Sequence, residues 1–153
     1  MKTNRSIPDA GVMPVLAYRD LAAAVPWLVR AFGCRERLRI HGHRVQLTLS
    51  GGALVATQSD ERDADQRREP GLAPEHGGPY TSGGHALLVR VESADRHHAA
   101  AKAAGAEIVS PPADQPYGER QYTAKDCDGH VWTFSESIGD VEPASWGGES
   151  VGP

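Results

Sequence analysis

The sequence predicts an α+β protein made of two βαβββ modules, and three observations carry that expectation. First, a strand, a helix and three further strands recur in the same order in both halves. This is a weak duplication of element order, with little residue identity, over about 130 residues. Second, each half holds one helical segment that stops at a glycine, Gly33 or Gly105. Third, residues 116–134 (PYGERQYTAKDCDGHVWTF) join a tight turn, an alternating strand, an Asp-Cys-Asp-Gly turn and an aromatic-rich strand.

The first strand is expected over residues 12–19, with Pro14 at a place that only an edge or a strand start tolerates easily. Asp20 then suits the N-cap of a helix over residues 21–32, because its side chain can accept from the N–H groups the first turn leaves unpaired. Leu21, Val25, Leu28 and Phe32 fall on one stripe at helical spacing, and residues 22–24 are alanines, which form helix readily. Pro26 interrupts this helix only mildly if it lies in the early turns. Strands follow near residues 34–40, 43–49 and 53–58, joined by His-Gly-His and Ser-Gly-Gly turns.

Residues 59–83 are rich in Asp, Glu, Arg, Gly and Pro and long for a connection inside a compact domain. They read as either a flexible linker or a loop folded over a site, with Tyr80 the part expected to touch a pocket. The second half opens with a strand over residues 85–91, a helix over 94–104 and a strand over 106–109. In the next strand Gln121, Thr123 and Lys125 alternate with Tyr122 and Ala124, as one buried face requires. Asp128-Gly129 suits a hairpin loop because glycine accepts positive φ. The chain thus divides into an N-terminal arm (1–11), a first module (12–58), the polar connection (59–83), a second module (84–137) and an extended tail (138–153). Trp146 in that tail is available to pin it to the body or to a second subunit.

At 153 residues the chain has room for one domain, or two small half-modules sharing a core. The net charge of −4 comes from interspersed charges, which argues against a nucleic-acid partner. No apolar run reaches membrane-spanning length and the N-terminus is polar, so a cytoplasmic protein with no membrane partner is expected. Cys34 and Cys127 read as free thiols in a reducing compartment, and Cys127, between two aspartates, is a poor nucleophile.

The 116–134 block resembles the closing hairpin of the vicinal oxygen chelate superfamily, the glyoxalase/bleomycin-resistance/dioxygenase proteins. Tyr18-Arg19-Asp20-Leu21, Arg30-Ala31-Phe32-Gly33 and Ala103-Ala104-Gly105-Ala106 extend the likeness across residues 12–137, closest to the glyoxalase-like or PhnB-like group. The resemblance implies curved mixed sheets that form a cup around a small molecule, often across a homodimer. It also implies, in metal-using members, His or Gln from each module's first strand and Glu from its last. Those positions fall here on Pro14, on a residue near Ala56, on His85 and on Thr133. One competent side chain in four does not hold a divalent ion well, so no metal and no cofactor are expected. The other histidines read as surface, strand-edge or helix residues: His41 and His43 flank a turn glycine, and the adjacent His97 and His98 cannot share a helix face.

The expected ligand-binding set is Tyr117, Arg120, Tyr122 and Trp132, with His85 and Tyr80. For Trp132 and Phe134, packing beneath a helix is the competing reading, and a buried Arg120 would pair with Asp126 or Glu119. The function these residues imply is metal-independent binding of a small molecule, an antibiotic or aromatic metabolite, as in bleomycin-resistance proteins. The alternative is a divalent-metal enzyme, a lyase, isomerase or dioxygenase, that uses His85. A third reading is an interaction domain with an empty cup.

Overall fold

The computed structural model describes residues 4–59 and 85–152. Its elements run β1 (Val15–Tyr18), α1 (Leu21–Phe32), β2 (Arg35–Ile40), β3 (Arg44–Leu49), β4 (Gly52–Gln58), β5 (Leu87–Arg90), α2 (Ala94–Ala103), β6 (Glu107–Gln115), β7 (Glu119–Lys125) and β8 (Val131–Ser137). A 3-10 turn, Pro143–Trp146, lies in the tail. The strands form two four-stranded mixed sheets, ordered β1-β4-β3-β2 and β5-β8-β7-β6. In each, the first strand runs parallel to the last and the rest are antiparallel. The two βαβββ modules are therefore present, and neither sheet closes on itself.

Strand β1 is shorter than residues 12–19. Pro14 has no N–H to donate, although its carbonyl still accepts from Val55 N at 2.9 Å. Helix α1 begins where Asp20 Oδ1 accepts from Ala23 N at 3.1 Å, and it ends at Gly33 in the left-handed region. Gln58 reinforces the start: Oε1 accepts from Leu21 N, and Nε2 donates to Arg19 O. The buried stripe Leu21, Val25, Leu28 and Phe32 lies over Leu16, Val45, Leu47 and Leu54 of the first sheet. Between β3 and β4, Ser50 and Gly51 both take positive φ, the backbone of a two-residue hairpin turn matched to strand twist.

Strand β6 runs to Gln115, well past the expected end near Val109, and passes through Pro111 and Pro112. It can do so because it is the edge of its sheet and its pairing with β7 shifts register between Ser110 and Ala113. A bulged edge strand needs no ladder donor from a proline.

The modules pack helix to helix around the Phe32 ring. Phe134 and Trp132 lie 4.9 and 5.1 Å from it, centroid to centroid, and Trp27 lies at 5.0 Å. Polar contacts lock the same seam. Tyr18 donates to Asp126 Oδ2 at 2.8 Å, His130 Nε2 lies 2.8 Å from Ala17 O, and Arg19 N lies 2.6 Å from Asp128 Oδ2.

Candidate functional site

Strands β1 and β5 are the edges of their sheets, and a cavity of about 670 Å³ lies between them. Pro14 and Val15 line one wall, Leu87 and Leu88 the opposite one, and Ala53 with Trp132 part of the remainder. The β3–β4 turn bounds it as well, where the Ser50 hydroxyl donates to the Arg90 carbonyl. The lining is mostly aliphatic, with His85 and Arg90 as its ionisable side chains among the described residues. Such a volume suits a drug-sized molecule bound through apolar contact.

The sequence-predicted residues do not gather around this cavity. His85 and Trp132 line it. Trp132 is at the same time fully buried, with Nε1 donating to Asp126 Oδ2 at 3.1 Å, so its indole is held in the core against Phe32 and Phe134. Tyr122 is fully buried on the face of its sheet that Trp132 and Phe134 share, stacked on Phe134 at 5.1 Å. Its hydroxyl meets His97 Nδ1 at 2.6 Å. Arg120 shares that helix-facing side and forks between Asp95 of α2 (2.9 Å) and Asp114 of β6 (2.7 Å). Its partners are thus not Asp126 or Glu119, and those hydrogen bonds hold its guanidinium firmly charged. Tyr117 sits at the β6–β7 turn, edge-on to Trp146 at 5.5 Å, with its hydroxyl on Gln121 Oε1 at 2.8 Å. Tyr80 lies outside the described residues.

Sequence reasoning did not single out the cavity residues from β1, β5 and the β3–β4 turn. A Val, Leu or Ala in an edge strand carries no chemical signature. Only the packing of one module on the other turns these residues toward a shared space.

Two histidines that read as helix or strand-edge residues are structural. His97 Nε2 lies 3.0 Å from the Phe32 carbonyl, which can only accept, so Nε2 carries the proton and Nδ1 accepts from Tyr122. Burial holds its pKa below the ordinary histidine value. His130 is likewise committed through Nε2 to Ala17 O. Both thiols are held protonated: burial raises Cys34 to about 12, and desolvation followed by the charges of Asp126 and Asp128 raises the exposed Cys127 to about 11.

The positions where the family places metal ligands do not fit a divalent ion. Pro14 and Ala56 offer no side-chain donor, and the Thr133 hydroxyl is hydrogen-bonded to Thr123 at 3.0 Å. Only His85 has a suitable donor atom. Among the described residues no three His, Cys, Asp or Glu side chains converge.

Paired βαβββ modules with a cavity between their first strands define a class of fold, and the sequence places the chain within it. The sequence model of the Glyoxalase/Bleomycin resistance protein/Dioxygenase superfamily matches residues 12–134, and the chain belongs to that family. Among solved structures, TioX from Micromonospora sp. ML1 is 34% identical, covering 87% of this chain and 98% of its own, with a TM-score of 0.63. A lactoylglutathione lyase from Agrobacterium tumefaciens is 19% identical over 86% of this chain and 96% of its own, with a TM-score of 0.59. A family member from Burkholderia phytofirmans PsJN, 18% identical over 81% of this chain and 95% of its own, gives a TM-score of 0.60. These last two likenesses concern the fold alone. No curated protein matches the sequence significantly.

Proposed function

We propose that this protein binds a small, largely apolar or aromatic molecule without a metal ion, in the manner of a bleomycin-resistance protein, and acts as a homodimer. The observation that carries the reading is the aliphatic cavity between β1 and β5, in a fold whose usual ligand positions hold Pro14, Ala56 and Thr133. Apolar lining rewards the burial of an apolar ligand at roughly 25 cal/mol per Å² removed from water. The homodimer is supported by Val15 and Leu88, which stand 55% and 67% exposed on the two edge strands beside the cavity. A second copy covering these edges would remove both from water and deepen the walls.

The test is a ligand-induced melting screen on protein stripped with a chelator, run beside metal analysis of the protein as purified. Aromatic and antibiotic compounds should raise the melting temperature of the stripped protein as much as that of the untreated protein. Stoichiometric, tightly held metal, together with ligand shifts that vanish after stripping, would instead establish the divalent-metal enzyme that uses His85.

A further inference from the structure

The open face of the second sheet, opposite α2, carries a row of hydrogen-bonding side chains that begins at the cavity. Arg90 is both a cavity residue and the first member of the row. In register it stands beside Ser135, which stands beside Gln121; the next row pairs Ser137 with Glu119. Tyr117 donates to Gln121 Oε1 at 2.8 Å, Gln121 Nε2 to Ser135 Oγ at 2.9 Å, and Ser135 to Glu119 Oε2 at 2.5 Å. From the other end, Arg90 Nη2 donates to Ser137, and Ser137 donates to the second Glu119 oxygen. Arg90 also lies 3.5 Å from that carboxylate.

The direction of these bonds decides what the row can still recognise. Every bond runs toward Glu119, whose two oxygens each take a serine hydroxyl, and those bonds keep its pKa below the usual carboxylate range. From Gln121 to Glu119 each acceptor oxygen of the row already takes one bond, while donors are left with none. Arg90 engages described residues through Nη2 alone, leaving Nε and Nη1, and Gln121 uses one of its two amide hydrogens. Arg90 and Glu119 also cancel in charge. A ligand end that suits surplus donors on a patch without net charge is an uncharged acceptor.

We infer that the Arg90–Gln121 row is a polar subsite that takes a neutral carbonyl group, an amide, ester or ketone, of a molecule whose apolar body occupies the adjoining cavity. This rests on the cavity being a binding site, and the experiment separates failure of one from failure of the other.

Three fluorescent naphthalenes serve as probes: prodan, which carries a ketone; N-phenylnaphthylamine, which has no carbonyl or acid group; and anilinonaphthalenesulfonate, an anion. Titrated into the intact protein, prodan should bind at least about fivefold more tightly than N-phenylnaphthylamine, the worth of one added hydrogen bond. Its emission should carry the red shift of a hydrogen-bonded ketone. Arg90→Leu and Gln121→Leu should each reduce that preference; Gln121, which does not line the cavity, should leave N-phenylnaphthylamine affinity unchanged when replaced, and far-UV circular dichroism shows that both variants fold. Equal affinity for prodan and N-phenylnaphthylamine, or a preference that survives both substitutions, overturns the subsite and leaves the cavity reading intact. Tightest binding of the sulfonate overturns it in favour of anion recognition. No binding by any of the three overturns subsite and cavity together.

Discussion

Asp126 is a buried carboxylate that accepts four hydrogen bonds, from Tyr18, Trp132 and the backbone N–H groups of Asp128 and His130. It holds the β7–β8 turn, fixes the Trp132 indole and joins the two modules, and among the described residues no cationic side chain pairs with it. Burial, and then the nearby carboxylate, push the Tyr18 hydroxyl well above its ordinary pKa, so it remains a donor throughout the working pH range. We predict that Asp126→Ala destabilises the protein by roughly 3–5 kcal/mol, because two side-chain donors are left buried and unpaired at about 1–3 kcal/mol each and the turn loses its anchor. Tyr18→Phe, which removes a single bond, should cost about 1–2 kcal/mol, and urea unfolding with a double-mutant cycle measures both. A loss below that of Tyr18→Phe would show that the turn holds without the carboxylate.

His97 supplies a pH dependence whose sign follows from its surroundings. The pKa is lowered in the folded protein by burial, with the Phe32 carbonyl acting weakly the other way. The unfolded chain therefore binds the proton more readily, and folding is favoured fully above the ordinary histidine pKa of about 6.5. That part of the stability is lost as pH falls through the folded value. His97→Gln should flatten the acid side of the stability curve below about pH 6.5, read from denaturant midpoints. An unchanged acid limb would place its origin in another group.

At the level of elements, the tail docks where Gly118 leaves room for it. Ile138 N and Gly139 N both donate to Gly118 O, at 2.9 and 3.2 Å, and Trp146 meets the Tyr117 ring. Gly118 has φ +80, and a Cβ there would sit 2.3 Å from the Gly139 carbonyl oxygen. We predict that Gly118→Ala lowers the melting temperature and exposes the tail to limited proteolysis, at a cost of about 1–3 kcal/mol. Trp146→Ala should release the tail with a smaller loss of stability. Helix α1 was legible in the sequence because Asp20, the apolar stripe and Gly33 are local signals that act on the same residues. The full length of β6 was not, because Pro111-Pro112 normally ends a strand. Only its edge position and shifted register make the two prolines harmless.

For the molecule as a whole, the exposed apolar residues of β1 and β5 make a prediction about assembly. Sedimentation should show a dimer, and Val15→Glu with Leu88→Glu should shift it to monomer while leaving the helical circular dichroism unchanged. A wild-type protein that stays monomeric at high concentration would remove the homodimer from the proposed function. No helix among the described residues is long and apolar enough to cross a membrane.

Periodicity, caps and turn residues act over a few positions, and they were enough to predict two βαβββ modules and to place Tyr122 in phase with Arg120 along β7. The absence of ligand-competent side chains at Pro14, Ala56 and Thr133 was equally visible, since it depends on residue type alone. What the chain could not disclose is which side of a strand receives the helix. That choice sent Tyr122 and Arg120 toward α2 and turned Arg90, Gln121 and Glu119 to the open face. The cavity was hidden for the same reason: its walls come from β1 and β5, about seventy residues apart, and ordinary aliphatic side chains become a site only when two sheets set them opposite each other.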